Sequence, residues 1–142
     1  MSQQYQIQFL SDWSVVINAL KPHLKSKTVV LLDGNLGAGK TTFVGLVAKE
    51  FGINAVSSPT FALIQNYSTQ DIELVHVDLY RLENSDEIEA TGFWELFDKP
   101  NRIIFVEWSS KVSDDHWPLS WTKIKLKIEK KSEQVREVTV TI

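Results

Sequence analysis

Residues Gly34 to Thr41 read GNLGAGKT and match the phosphate-binding pattern G-x-x-x-x-G-K-[ST] at every fixed position. Glycines let a backbone curl so that successive N–H groups point at phosphate oxygens, and a helix beginning there adds unpaired N–H groups and its positive dipole end. In this pattern the lysine, here Lys40, contacts the β- and γ-phosphates, and the Thr41 hydroxyl can bind Mg²⁺. The segment therefore predicts a nucleotide phosphate site rather than a purely structural glycine turn.

The nucleotide contacts are expected from the end of this loop and the start of the helix that follows it. They are Gly37, Ala38, Gly39, Lys40, Thr41 and Thr42. Lys40 is also expected to act in catalysis, because it lies beside the phosphate that is transferred. For Thr42, contact with the α-phosphate and capping of the helix are equally good interpretations.

Two apolar segments farther along the chain each end in one acidic residue. LVHVDLYRL carries Asp78, and RIIFVEW carries Glu107. Near a Mg²⁺–phosphate centre, one acid can bind the ion, directly or through water, while a second orients the attacking water. The alternative is that either acid is an ordinary surface residue at the end of a strand.

The two segments differ in a way that assigns these roles. Four uninterrupted apolar residues precede Glu107, whereas His76 interrupts the run before Asp78, and LYRL follows directly. The first pattern is typical of a fixed, buried strand, and the second of a strand that passes into a mobile loop. We therefore expect Glu107 to be the metal ligand. Asp78 then belongs to a switch-like segment, as an outer ligand or a water-positioning catalytic group.

A further catalytic candidate, Thr60, lies in the segment SSPTF between the helix after the loop and the next strand. Switch segments that sense the γ-phosphate are found at this place. Thr60 would then hold water or metal only while ATP is intact. The alternative is a loop that leads into a strand, with Pro59 setting the backbone.

Hydrophobic spacing predicts the elements that position these residues. Amphipathic helices are predicted over SDWSVVINALKPHL and after the glycine-rich loop, and buried strands at TVVLLDG and RIIFVEW. Further strands are predicted at SSPTFALIQNY and IELVHVDLY, and a capping box at Asn84 and Glu87 opens a short helix through EIEATGFWELF. Strict alternation in TKIKLKIEK and REVTVTI predicts a terminal hairpin.

This order of elements indicates one α/β domain over residues 1–142, with a three-layer P-loop NTPase-like fold, a mixed β-sheet and a C-terminal antiparallel hairpin. The absence of cysteine, of a secretory signal and of any apolar run near the ~20 residues of a membrane helix favours the cytoplasm and no membrane. The net charge of −3 argues against broad adhesion to nucleic acid. Lys123, Lys125 and Lys127 share one face of the hairpin, which a solvated sheet surface explains better than a contact with nucleic acid or a partner protein.

The chain lacks the N-K-x-D and D-x-x-G patterns of guanine-specific proteins, so ATP is favoured over GTP. A small-molecule kinase would need an acceptor pocket and several arginines, and this chain has three: Arg81, Arg102 and Arg136. Water is therefore the favoured acceptor. With few arginines to stabilise transition-state charge, slow hydrolysis that a partner accelerates is expected.

The segments GNLGAGKTTF, SPTF, HVDLYRL and VEW, in this order, resemble the TsaE (YjeE) family of small P-loop ATPases in tRNA threonylcarbamoyladenosine biosynthesis. The resemblance implies ATP and Mg²⁺ as cofactors and the TsaB–TsaD complex as partner, with tRNA contacted indirectly through that complex. ATP hydrolysis in this family supports repeated turnover of TsaB–TsaD. Two alternatives remain, a small P-loop kinase and a nucleotide-gated binding module without essential hydrolysis.

The resemblance also bears on single residues. It places Glu107 with the metal, treats the Asp78 segment as functional and supports Thr60 as a switch residue. It puts Ser11 and Arg136 beside the adenine, although both could equally be simple surface residues.

Three other residues of these motifs have simpler interpretations. His76 is flanked by valines and is better explained as a satisfied core histidine than as a catalytic base. Arg81 is expected to pair with a neighbouring acid, or else to support the γ-phosphate or a partner surface. Trp108 is most simply a core residue, with a partner-facing role as the alternative.

Overall fold

The computed structural model describes residues 2–35, 37–54, 56 and 63–142. Within these ranges, hydrophobic alternation and turn residues divide the chain into strands and helices. The strands are β1 (Ser2–Ile7), β2 (Thr28–Asp33), β3 (Ile64–Ser68), β4 (Glu73–Asp78), β5 (Arg102–Glu107), β6 (Thr122–Lys130) and β7 (Arg136–Thr141). The α-helices are α1 (Trp13–Leu20), α2 (Lys40–Glu50) and α3 (Ser85–Ala90).

These seven strands form one sheet in the order β1-β7-β6-β2-β5-β4-β3. β2 pairs in parallel with β5 and β6, and β4 pairs in parallel with β5. The pairs β3–β4, β6–β7 and β1–β7 are antiparallel. The sheet is therefore mixed, and both the predicted fold class and the predicted terminal hairpin are confirmed.

Both faces of the central strands are buried, which produces three layers. Val30 and Leu32 of β2 belong to the same apolar cluster as the buried residues of α1 and α2. Val29 and Leu31, which alternate with them, belong to a second cluster with Ile88 of α3 and the aromatic residues of the following turns. Alternating burial of this kind is the expected property of a strand at the centre of a parallel sheet.

Strand β1 is the element that the sequence pattern does not predict. Its residues, SQQYQI, are mostly exposed, and only Ile7 is buried. Among the described residues the strand pairs with β7 alone, from Ser2 opposite Thr141 to Ile7 opposite Arg136. Its position therefore depends on a partner at the other end of the chain and not on its own composition.

The helix predicted through EIEATGFWELF is wrong in extent. α3 ends at Ala90, Gly92 has a φ of +82°, and a separate 3₁₀ turn covers Trp94–Asp98. Glycine favours this left-handed conformation, which ends an α-helix. Asn84 does cap the helix by accepting the Glu87 N–H at 2.9 Å. The Glu87 carboxylate, however, accepts the N–H of Glu83 at 3.0 Å and not that of Asn84.

Within the described ranges, no helix has both the length and the apolar character needed to cross a bilayer.

Candidate functional site

The carboxyl ends of three neighbouring parallel strands bring acidic residues to one edge of the sheet. Asp78 of β4 is directly opposite Glu107 of β5, and Glu107 is opposite Leu32 of β2, which precedes Asp33. Asp33 accepts hydrogen bonds from Ser109 Oγ at 2.8 Å and from the Ser110 N–H at 3.0 Å. It therefore fixes the chain that follows β5, while Asp78 and Glu107 remain for the site.

The glycine-rich loop joins β2 to α2 directly above these strand ends. A Cβ at Gly34 would lie 2.7 Å from the carbonyl oxygen of Ile128, so only glycine fits there. Gly39 has a φ of +117° and offers no side-chain cap to α2. The first N–H groups of the helix are therefore left for a ligand, and the helix dipole favours an anion at this end.

Lys40 is the first residue of α2, and its side chain turns back over the loop. The ammonium donates to the carbonyl oxygens of Gly34 and Asn35, the latter at 3.0 Å, and it lies 4.5 Å from the centre of the Trp108 ring. Burial lowers the pKa of Lys40, and the nearby carboxylates of Glu107, Asp78 and Asp33 oppose that shift. The side chain is 5% exposed. A buried cation of this kind is well placed to meet a phosphate.

Glu107 is held by two side chains from other elements. It is 4% exposed, and its Oε2 accepts a hydrogen bond from Thr41 Oγ1 at 3.0 Å and contacts His76 Nε2. Contact with a carboxylate places the imidazole proton on Nε2. The carboxylate therefore has a fixed position beside the first turn of α2.

His76 is buried, as predicted, with 1% of its surface exposed. Its partner is not a core group, however, but the acid expected to bind the metal. Among the described residues, its second ring nitrogen, Nδ1, has no hydrogen-bond partner. The alternation of valines around His76 hid this contact, because the partner lies on a neighbouring strand.

Asp78 is held differently from Glu107. It is half-buried, and its Oδ1 accepts the N–H of Tyr80, two residues later, at 2.9 Å. Burial raises the pKa of Asp78, and the nearby Glu107 adds to this, whereas the Tyr80 N–H, His76 and Lys40 lower it. The carboxylate thus depends on its own segment for position.

Trp108 lines the site and also packs, partly buried, against the second apolar cluster. It has a φ of +61°, an uncommon conformation for a bulky residue, and its ring contacts that of Tyr80 at 5.0 Å between centres. The Lys40 ammonium lies over this ring. The core interpretation agrees with the packing of Trp108 on the apolar cluster, and the partner-facing alternative stays a prediction. The position of Trp108 directly after the acid of β5 was the only signal in the sequence for its contact with Lys40.

These groups enclose a small cavity of about 220 Å³ at the helix N-terminus. It is lined by Gly37, Gly39, Lys40, Thr41, Thr42, Asp78, Glu107 and Trp108. The donors are the oxygens of Thr41 and two carboxylates, together with a buried ammonium. Mg²⁺ takes oxygen ligands and is commonly bound by one or two carboxylates beside phosphates, so the residues fit a Mg²⁺–nucleotide.

A second cavity, of about 490 Å³, adjoins the other side of the loop. Arg136 lines it, and its guanidinium donates to the loop carbonyls of Ala38 at 3.1 Å and Gly37 at 3.3 Å. Phe9, Leu10 and Trp13 form the opposite wall. An apolar wall beside the phosphate loop suits a nucleotide base. Ser11, also predicted to be near the adenine, is exposed on the adjacent turn, outside the described lining.

Other residues of the motifs lie elsewhere. Thr60 and the rest of SPTF fall outside the described residues. Arg81 is exposed and makes no ion pair within the described part of the chain, so the expected pairing with an acid is not seen. Lys125 and Lys127 are exposed and pair with Asp114 at 2.9 Å and Glu129 at 3.4 Å, as a solvated sheet face would.

Comparison with known proteins gives a consistent result. Residues 10–138 match the model of the family described as threonylcarbamoyl adenosine biosynthesis protein TsaE. The tRNA threonylcarbamoyladenosine biosynthesis protein TsaE of Bacillus subtilis is 36% identical over 118 residues, which are 82% of this chain and 71% of that protein. The protein of the same description from Rickettsia felis is 45% identical over 95 residues, 66% of this chain.

The chain spans only 54% of the length of the Rickettsia felis protein. Among solved structures, that of Bacillus subtilis YdiB aligns with a TM-score of 0.71 at 23% identity, covering 99% of this chain and 84% of the other. At that identity the likeness speaks for the fold alone. The family match and the identity to the Bacillus subtilis relative go further and confirm the resemblance seen in the four motifs: the chain belongs to the TsaE family.

Proposed function

We propose that the protein is a Mg²⁺-dependent ATPase of tRNA threonylcarbamoyladenosine modification, slow alone and stimulated by a TsaB–TsaD complex whose turnover it supports. The observation that carries this proposal is the convergence of Lys40, Thr41, Glu107 and Asp78 on one cavity at the N-terminus of α2. A role in tRNA modification places the protein in the cytoplasm, with tRNA reached through the partner complex.

Each side chain has a distinct task in this proposal. Thr41 and Glu107 would hold Mg²⁺, which when bound neutralises phosphate charge and polarises the bond that breaks. Lys40 exchanges the carbonyl oxygens of Gly34 and Asn35 for phosphate oxygens. His76 keeps the Glu107 carboxylate in place by contacting Oε2, the same oxygen that accepts the hydrogen bond from Thr41.

Asp78 is assigned to the attacking water. Burial favours its protonated form, whereas the Tyr80 N–H and the nearby Lys40 favour the carboxylate. A carboxylate that accepts a proton or orients water in this way acts as a general base. Thr60 is proposed to contact the γ-phosphate or its metal, as the sequence pattern predicts. On the other side of the loop, the cavity lined by Arg136 would take the adenine, with Ser11 at its edge.

The positions of the three arginines support slow intrinsic hydrolysis. Arg81 is exposed, Arg102 is buried in an ion pair with Glu73 at the start of β5, and Arg136 binds the outer side of the loop. None of these side chains lines the cavity that contains Lys40 and Asp78. Transition-state charge is then left to Lys40 and the metal, and a partner can supply the missing cation.

The test is phosphate release from ATP, measured for the protein alone and with TsaB–TsaD. We expect slow release alone, faster release with the complex, and loss of both in Lys40→Ala. Lys99→Ala, which changes an exposed lysine away from the site, is the control. Mg²⁺-dependent ATP binding without release in either case would favour a nucleotide-gated binding module. A phosphorylated product from a metabolite mixture would favour a kinase.

A further inference from the structure

Lys111 lies in the short 3₁₀ turn Ser109–Lys111 that follows β5, and its side chain crosses to the segment that follows β4. Its Nζ donates to the carbonyl oxygen of Tyr80 at 2.6 Å and to that of Leu82 at 2.7 Å. It also lies 5.7 Å from the centre of the Tyr80 ring. One lysine thus holds two carbonyl groups on either side of Arg81.

The segment from Leu79 to Leu82 has few other attachments near its middle. Leu79 is buried and donates its N–H to the Glu107 carbonyl at 3.2 Å, and Leu82 closes a turn back to Leu79 at 3.0 Å. Tyr80, by contrast, is 45% exposed, and Arg81 is exposed without an ion pair within the described ranges. The exposed part of this segment is therefore attached mainly through Lys111 and through the Tyr80–Trp108 ring contact.

This segment determines the position of Asp78. The Tyr80 N–H is the hydrogen-bond donor to the Asp78 carboxylate, so a displacement of Tyr80 also displaces or releases that carboxylate. Tyr80 in turn contacts Trp108, whose ring lies beneath the Lys40 ammonium. A continuous set of contacts thus connects Lys111, on the outside, with both sides of the phosphate cavity.

We propose that Lys111 is a positioning residue, which tethers the Tyr80–Leu82 segment to the turn after Glu107 and thereby sets the position of Asp78. The proposal rests on the proposed function for its effect on hydrolysis, but the tether itself does not depend on it. Hydrogen bonds from a charged donor are among the stronger ones in proteins, and two of them to carbonyls on either side of one residue restrain a short segment effectively.

The experiment uses an arginine-specific protease on the full chain, which has three arginines. Lys111→Met keeps the alkyl stem and removes the donors, whereas Lys111→Arg keeps a charged donor. Lys99→Met is the matched control on an exposed lysine away from this segment. We expect cleavage after Arg81 to be about tenfold faster in Lys111→Met than in the wild type, with cleavage after Arg102 and Arg136 unchanged. In Lys111→Arg and Lys99→Met, cleavage after Arg81 stays near the wild-type rate. The cleavage site that Lys111→Arg adds at position 111 gives a separate fragment and is left out of this comparison.

Steady-state ATP hydrolysis in the presence of TsaB–TsaD gives a second readout. Lys111→Met should lower kcat about tenfold with little change in KM, because phosphate binding by the loop is intact while the water-positioning group is displaced. Equal cleavage after Arg81 in the wild type and Lys111→Met overturns the tether, as does a uniform increase at all three arginines, which reports global destabilisation. A wild-type protein that hydrolyses no ATP with its partners overturns the proposed function, and the Arg81 cleavage rates then still decide for or against the tether.

Discussion

The ends of β4 and β5 are neighbours in the sheet, yet they hold their carboxylates by different means. Glu107 is buried and is contacted by His76 from β4 and Thr41 from α2. Asp78 is half-exposed and is held by a backbone N–H two residues along its own segment. One acid is positioned by the tertiary structure and the other by a local turn.

This difference shows how one site can combine a carboxylate of fixed position with a carboxylate whose position can change. A buried carboxylate held by donors from two other elements moves only if those elements move, because each donor would lose its partner. A carboxylate held by a local turn moves whenever that turn changes conformation. This arrangement suits a fixed metal ligand beside a water-positioning group that can respond to the nucleotide or to a partner protein.

The largest effect is expected from removing the fixed acid. Glu107→Ala should weaken ATP binding in the presence of Mg²⁺ about 100-fold, whereas Asp78→Asn should weaken it no more than about fivefold. Titration calorimetry with Mg²⁺ and with a chelator measures both variants. The difference between them should vanish in the chelator, and the reverse order of affinities would overturn the assignment of the two acids.

The next effect concerns the donors to the fixed acid. His76→Leu should lower the free energy of unfolding by about 2 kcal/mol, because a buried carboxylate loses a hydrogen-bond donor. His76→Gln keeps an amide donor and should recover part of that loss. Asp78→Asn should change it by no more than about 0.5 kcal/mol, as its contact is local and partly solvated.

Urea denaturation without nucleotide provides these values. If His76→Leu and Asp78→Asn were equally destabilising, the two acids would not differ in the way that their contacts indicate.

A smaller effect is expected from Arg136, which contacts the glycine-rich loop and not the two acids. Arg136→Met removes the donors to the Gly37 and Ala38 carbonyls, and we expect about tenfold weaker nucleotide binding. Because Arg136 contacts the loop and not the carboxylates, the loss should be the same with Mg²⁺ and with a chelator. Lys125→Met, on the neighbouring strand β6, removes an exposed ion pair and should leave affinity unchanged. A loss seen only with Mg²⁺ would connect Arg136 to the metal site instead.

The smallest effect is the pH dependence that Asp78 contributes. Burial raises its pKa in the folded protein above the ordinary value of 3.8, so the folded state keeps the proton longer than the unfolded state as pH rises. Below pH 3.8 the burial of Asp78 therefore costs no stability, because the carboxyl group is protonated in both the folded and the unfolded state. As pH rises from there through the raised pKa, the folded protein loses stability relative to the unfolded chain. Asp78→Asn lacks this dependence.

The measurement is the free energy of unfolding of both proteins without nucleotide, from about pH 3 to about pH 7. As pH rises, this free energy should fall in the wild type relative to Asp78→Asn. Above the raised pKa, the difference between the two proteins should stay constant. A relative gain of stability by the wild type would mean that the local hydrogen bond outweighs burial.

The parts of the fold that sequence predicts are those whose pattern is local. The apolar run of β2 leads directly into the glycine-rich loop, and the loop leads directly into the helical spacing of α2. Each of these patterns makes the next one expected. The hairpin β6–β7 is equally local, because alternation and a polar turn suffice to define it. In all of these, the residues that determine the structure lie within the element itself or directly beside it.

The parts that sequence does not predict depend on distant partners. His76 looks like a core residue among valines until β5 is placed beside β4, and the contact of Trp108 with Lys40 is visible only once the loop is placed beside β5. The length of its apolar run indicates Glu107 as a candidate metal ligand, but the donors that hold it come from two other elements. A sequence pattern shows which residues lie on a strand, but it does not show which residues they contact on the neighbouring strands.

The pairing of β1 with β7 also has a consequence for the order of events during protein synthesis. Among the seven described strands, β1 is translated before the others, and its one neighbour in the sheet, β7, is translated after them. β1 therefore remains without its partner until translation has passed β7, and contacts so distant along the chain form slowly. Phe9 and Leu10, which follow β1, form one wall of the larger cavity, and Arg136 of β7 forms another. A nascent chain that lacks β7 has the glycine-rich loop but not the Arg136 side of the larger cavity, so a ligand that needs both could stabilise the fold only after β7 has joined the sheet.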